Sequence, residues 1–273
     1  MLGNGLSVMT AAVCRRPFTP VDLFAGGAQG LFLDWRDTST LFQDAAGILP
    51  SAPSGDLVKL GLDKSRGLAR GVNFFEENPV TAVNWTDNGD GSFTAQGLNG
   101  TLNVMGLSAG EFGELQLTIA GSGADSLNLF DGDNNFLGSF TGDGSHRAIF
   151  KASGSARPQL FNLNKTSFTG TVSGLSLRTV AGKHCLAPAD AARATYQADR
   201  TLADDGDDSL IAPLTGTFSA YIAADGALIA DEGVVMADNY DVLRNNMVGA
   251  VIVSAPLTAT QQQQVAAYFG VTV

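Results

Sequence analysis

Asn84-Trp85-Thr86-Asp87-Asn88-Gly89-Asp90-Gly91-Ser92-Phe93-Thr94 opens the stretch that decides the fold, and Phe168-Thr169-Gly170-Thr171-Val172-Ser173-Gly174-Leu175-Ser176-Leu177-Arg178 closes it. Between them, short runs of alternating apolar and polar residues are separated by Gly, Asp and Asn. Leu115, Leu117 and Ile119 fall on one side of such a run and Gln116 and Thr118 on the other; Leu127 and Leu129 alternate with Asn128. A period of two is what a strand with one buried face requires. Asn88-Gly89 and Asp90-Gly91 are hairpin signals, because these residues tolerate positive φ or bond their own backbone. Several short strands at this spacing must bury their inner faces against one another, in a β-sandwich or a small barrel.

The same residues carry a resemblance. Trp85 to Thr94, then Phe140-Thr141-Gly142-Asp143-Gly144-Ser145-His146, then Phe168-Thr169-Gly170-Thr171 with Leu175 to Arg178, resemble the jelly-roll, carbohydrate-binding-module-like domain of many tailed-phage virion proteins. Upstream, Leu23-Phe24-Ala25-Gly26-Gly27 and Ser39-Thr40-Leu41-Phe42-Gln43-Asp44, followed by Gly61-Leu62-Asp63-Lys64-Ser65, are similar to an N-terminal module of phage and prophage structural proteins. Trp35-Arg36 departs from that pattern, where relatives commonly show Pro-Ser. Downstream, Ala191 to Gln197, Asp204 to Leu210 and Leu257-Thr258-Ala259-Thr260-Gln261 resemble the segments that follow the sandwich in those proteins. The resemblance implies a virion setting and a fold; it does not by itself imply a ligand.

Composition bounds the function. The chain has 273 residues, 33 of them Gly, and a formal net charge of -11. Clustered Lys and Arg, which phosphate contacts need, are missing, so nucleic acid is not an expected partner. No apolar run reaches the length of a membrane span, and the first residues do not read as a secretory leader. Cys14 and Cys185 stand far apart in sequence, outside any metal or redox spacing, and read as two isolated thiols unless the N-terminal arm packs near residue 185.

Candidate chemistry is sparse. His146 reads as a polar residue of a turn or strand. His184 and Cys185 are adjacent, and side chains of neighbouring residues on an extended chain point apart. Asp131-Gly132-Asp133-Asn134-Asn135 begins like a calcium loop, but Phe136 stands where Gly is needed and no late Glu follows. Asp204, Asp205, Asp207 and Asp208 crowd one loop. Asp131, Asp133, Asp205 and Asp207 are therefore the candidate calcium ligands, and no other cofactor is expected. Sugar binding needs an exposed aromatic beside hydrogen-bonding side chains. Phe136, at a turn tip among Asp and Asn, is the expected exposed ring; Trp85, at a strand start, reads mainly as buried. Asn134 and Asn135 are the expected polar neighbours.

The reading is a mainly β chain: an arm and attachment module over 1–75, an antiparallel jelly-roll sandwich over 76–180, and a small β-rich module over 181–273 ending in a helix. The N-terminal module and the tail are expected to pack together with the sandwich between them. The expected function is non-enzymatic, a fibre, spike or tail-adhesion subunit of a virion. Its expected partners are copies of itself in a closed trimer or pentamer, other capsid or tail proteins, and host surface polysaccharide. Capsid decoration without glycan binding is the main alternative, and a polysaccharide-degrading enzyme is a lesser one.

Overall fold

The computed structural model describes residues 16–96, 99–123, 125–131, 133, 135–153, 160–165 and 168–273. The chain before the sandwich supplies β1 (Gly30–Asp34), β2 (Leu41–Phe42), β3 (Leu57–Val58), β4 (Leu60–Gly61) and the short helix α1 (Phe74–Glu77). The sandwich contains β5 (Thr81–Val83), β6 (Trp85–Asp87), β7 (Phe93–Ala95), β8 (Gly100–Met105), β9 (Phe112–Ala120), β10 (Ser126–Phe130), β11 (Phe136–Thr141), β12 (Gly144–Lys151), β13 (Leu160–Lys165) and β14 (Thr171–Thr179). After it come β15 (Cys185–Leu186), β16 (Ala194–Tyr196), β17 (Leu202–Ala203), β18 (Ile211–Ala212), β19 (Thr215–Ala224), β20 (Ala227–Ala237), β21 (Tyr240–Asp241), β22 (Met247–Val253) and helix α2 (Ala259–Phe269).

The middle of the chain is an antiparallel sandwich of two five-stranded sheets, β11-β10-β13-β8-β5 and β12-β9-β14-β7-β6. The chain crosses repeatedly between the two sheets, with β6-β7 and β10-β11 as hairpins within one sheet. The period-two reading of β9 holds: Leu115, Leu117 and Ile119 are buried between the sheets with Leu102, Leu127, Phe140, Phe150 and Phe168. The Asn88-Gly89 signal also holds, since β6 and β7 pair and Asn88 N–H donates to the Ser92 carbonyl at 3.0 Å.

The two ends of the chain build the base together. β1 pairs with β22 over five residues, β3 pairs with β16, and β4 pairs with β15. One seven-stranded sheet and one five-stranded sheet result, with Leu31, Leu33, Trp35, Tyr196, Ala250 and Ile252 among the side chains enclosed between them. β1 and β22 are apolar on both faces because both faces are covered: Phe32, Val251 and Val253 pack on the other side against Val265 and Phe269 of α2. Gly30, at φ 143°, is required there, since a Cβ would stand 1.9 Å from the Ile252 carbonyl oxygen. Helix α2 begins at Thr258, whose hydroxyl accepts from Gln261 N–H in a capping box, and stops at Gly270 in the left-handed region.

Two local expectations from the sequence fail: that Asn73 to Pro79 begins the first edge of the sandwich, and that Asp37 or Thr38 caps a short helical turn carrying Leu41 and Phe42. Asn73 to Pro79 does not begin the first sandwich edge: Asn73 caps α1, its Oδ1 accepting from Phe75 N–H at 3.2 Å, and the edge strand starts at Thr81. Asp37 does cap a turn, but a 3-10 turn of three residues, and Leu41 and Phe42 beyond it are extended and paired with β4.

The sandwich is tied to the base where the chain leaves and returns. Arg70 and Val180 form an antiparallel bridge, and Gly71 N–H donates to the Thr179 carbonyl at 3.1 Å. Glu114, buried on β9, takes Arg70 at 2.6 Å on one oxygen and Arg147 on the other. Burial disfavours its ionised form, but the two guanidinium groups outweigh that and hold its carboxyl below the ordinary range. Asp63 is fully buried and accepts from Phe32 N–H, Ser65 N–H, the Ser65 hydroxyl and Lys183 N–H, at 2.6–2.9 Å. Its own N–H donates to His184 Nδ1 at 2.9 Å. The Gly61-Leu62-Asp63-Lys64-Ser65 motif is thus the pin that fastens the returning chain to β1.

Candidate binding site on the sandwich

The turn between β10 and β11 is organised by one carboxylate. Asp131, fully buried, accepts from Asp133 N–H at 3.0 Å, Asn135 N–H at 2.9 Å, the Asn135 amide at 3.1 Å and the Ser153 hydroxyl. Burial works to raise its pKa, yet these donors outweigh it and leave the carboxyl below the ordinary range. Asp131 spends both oxygens on closing the turn, and Asp133 takes part through its backbone.

The closed turn sets the aromatic residues. Phe136 is 59% exposed, and its ring meets that of half-buried Phe130 edge-to-face, with centroids 5.6 Å apart. Asn135 stands beside it, its amide shared between Asp131 and Ser153 Oγ, at 2.9 Å from the latter. Asn134 lies outside the described residues. Trp85 is only 7% exposed and packs on Phe168 at 5.7 Å between ring centroids, so it offers no platform to solvent.

Next to the phenylalanine pair runs the outer face of the β11-β10-β13-β8-β5 sheet. The strand register lines Asn128 up with Ser139 on one side and with Asn164, Thr101 and Val83 on the other. The adjacent row lines Phe130 up with Phe136, Asn162, Asn103 and Thr81. The residues of these two rows whose side chains are described, Asn128, Ser139, Thr101, Val83, Phe130, Phe136, Asn103 and Thr81, are amides, hydroxyls or apolar residues, in a chain of net charge -11. Asn128 accepts from the Ser139 hydroxyl at 2.7 Å, and the Asn103 amide donates to Thr101 Oγ1 at 3.1 Å. Such a surface has rings for the apolar faces of a ligand and paired donors and acceptors for its hydroxyls.

The remaining candidates go elsewhere. Asp204, Asp205 and Asp208 bring carboxylate oxygens within 4.8 Å of one another, whereas Asp207 is not part of that group. Asp204 and Asp208 also accept backbone N–H groups of their own loop, at 2.7 and 3.3 Å. His146 Nε2 lies 2.9 Å from the Gly142 carbonyl, a local turn contact. Cys185 is free and buried, and burial pushes its thiol well up, away from reactivity; Cys14 lies outside the described residues.

No protein-family model matches the chain, and no curated protein matches it. Among solved structures, the enzymatically active domain of bacteriophage CBA120 tailspike protein 4 is similar over 37% of this chain and 18% of its own, at 14% identity and a TM-score of 0.24. The N-terminal CBM22-1–CBM22-2 tandem domain of Paenibacillus barcinonensis Xyn10C is similar over 81% of this chain and 96% of its own, at 12% identity and a TM-score of 0.20. Both are β-rich. This chain spans less than a fifth of the tailspike chain it matches.

Phe130 carries no turn-tip signal but is legible from strand periodicity. The alternation that buries Leu127 and Leu129 places it outward beside Phe136. Ser153, which completes the turn, lies 22 residues from Asp131 and gives no local signal.

Proposed function

We propose that this chain is a non-enzymatic virion protein whose sandwich is displayed for attachment to saccharide on a host surface. The exposed Phe136 ring, held edge-on by Phe130 at the margin of an uncharged amide- and hydroxyl-rich sheet face, carries the reading. Sugar recognition combines a ring that covers the apolar C–H face with hydrogen-bonding groups that pair with hydroxyls. Asp131 fixes the turn that presents the ring, so little order has to be gained on binding. The virion setting is supported by the sequence resemblance of all three stretches to phage structural proteins. A non-catalytic role is supported by the engagement of Glu114 and Asp131, the buried acids of the sandwich among the described residues, in structural bonds. In the particle the chain forms a closed symmetric oligomer, a trimer or a pentamer.

A glycan array probed with the intact chain and with Phe136→Ala tests this. Binding of a bacterial surface saccharide that falls about tenfold or more in the variant is expected, the scale of losing one buried aromatic contact. An array with no positive glycan, or one indifferent to Phe136→Ala, overturns the attachment role and favours decoration.

A further inference from the structure

The seven-stranded sheet of the base ends at β20. β19 pairs with one side of that strand along its whole length. On the other side Thr272 bridges Ala227 in parallel, and Leu228 N–H donates to the Thr272 carbonyl at 2.7 Å. Beyond that, from Ile229 to Met236, no strand pairs with the outer side among the described residues. Val235 is 78% exposed, more than any other large apolar residue described, and Ile229 is exposed too. The strand contains neither Lys nor Pro, the residues that commonly guard an edge. Its two acids are bonded within the base: Asp231 accepts from the Tyr240 hydroxyl at 2.8 Å, and Glu232 from the Tyr221 hydroxyl at 2.6 Å. A bulge at Glu232-Gly233, opposite Ser219, bends the strand without covering it.

The composition of the chain names an occupant. Residues 1–15 lie outside the described residues, and Leu6-Ser7-Val8-Met9-Thr10-Ala11-Ala12-Val13 among them holds no charge and no Pro. Eight residues span about 26 Å when extended, the length from Ile229 to Met236. The one charged side chain of residues 1–15 is Arg15, and both charges of β20 are acidic. Self-pairing of β20 is the poorer match, because an antiparallel pair centred on the strand would set each Glu232 opposite its own copy.

The point of departure favours a neighbour's strand over the chain's own. The 3-10 segment Pro20–Gly27 packs on β1 and β22, and Arg16 is tied to it through Asp22. Helix α2 lies over β22, β19 and β20 on the same face, between that segment and the edge.

We infer that the open edge of β20 is completed by the N-terminal arm of a second copy, Leu6 to Val13 adding a strand along Ile229 to Met236. The inference rests on the closed-oligomer reading above and supplies its contact. Arm and edge are different surfaces, so each copy gives one and receives one, and the contact repeats around a ring.

Oxidative cross-linking of the full chain tests this. Cys14 follows the arm directly, and Cys185 is buried and takes no part. Cys14 falls near the start of β20 if the arm runs antiparallel to it and near the end if parallel, so Ile229→Cys and Ala237→Cys are the two probes. One of them should give bands on a denaturing gel that climb to trimer or pentamer and stop there, and Cys14→Ser should abolish them. Leu6→Asp with Val8→Asp should reduce the sedimenting mass to that of the monomer, and Phe136→Ala should change neither result. A bond closed within one chain, or no bond between chains with either probe, overturns the inference. If the parent chain still sediments as a closed oligomer, the oligomer reading survives that failure; a monomeric parent overturns both.

Discussion

His184→Asn offers the sharpest check on how the base grips the returning chain. The imidazole is buried, accepts from Asp63 N–H and contacts the Phe112 ring. Burial is the main reason that its pKa drops from 6.5 to about 4. The folded protein therefore keeps His184 neutral while the unfolded chain takes up a proton once pH falls below about 6.5. Stability is full above that value and declines until pH reaches about 4, with a total loss of about 3 kcal/mol. Asp63 works with the opposite sign, because burial raises its carboxyl above 3.8, and it gives up stability as pH rises from there. Glu114, Asp34 and Asp131, all held low, lose their contribution only below the ordinary carboxylate range. The asparagine variant keeps an acceptor for Asp63 N–H but has nothing to titrate, so comparing it with the parent removes the terms common to both. Urea unfolding at a series of pH values from 7.5 to 4.5 is the assay. The parent should lose between about 2 and 3 kcal/mol more than the variant across that window. Two curves that run parallel within about 0.5 kcal/mol would refute the reasoning, whatever the variant costs at neutral pH.

Three other expectations concern the fold itself. Gly30→Ala should destabilise the chain by more than about 4 kcal/mol, or prevent folding, because its Cβ collides with backbone between β1 and β22; normal yield and an unchanged melting temperature would contradict this. Leu115→Ala, in the sandwich core, should cost about 2–5 kcal/mol in denaturant unfolding, and a loss below about 1 kcal/mol would mean that the two sheets do not enclose it. Thr258→Ala should cost about 1 kcal/mol through loss of the cap on α2, seen as earlier thermal melting and faster amide exchange in its first turn.

The sandwich was legible because its evidence is local. Leu115, Leu117 and Ile119 alternate within five residues, and Asn88-Gly89 names its own turn; both survive unaltered in the structure. The sequence also reads as a helix from Ala259 to Phe269, capped by Thr258 and stopped by Gly270, because both end signals are local, and α2 has those bounds. What stayed hidden depends on distant partners. Asn73 reads as part of an edge, yet its side chain accepts from Leu177 N–H at 3.1 Å, 104 residues on, and that contact fixes it as a helix cap. Asp131 reads as an open carboxylate, whereas in the fold Ser153 and Asn135 donate to its oxygens. Phe136 is legible because turn tips expose their residues, whereas Ser153, which holds that turn closed from 22 residues away, gives no local signal. Local pattern reveals elements; sites assembled across elements need the fold.

The chain departs for the sandwich at Arg70 and comes back at Val180, and those two residues are bridged. Both strands that follow and precede this junction are already spoken for within the base, so the head behaves as a cassette plugged into a fixed socket. A different head whose own ends lie side by side could be spliced between the same two points without shifting the register of β1 on β22. Exchange of the inserted sheets would then leave the pairing of the base strands as it stands.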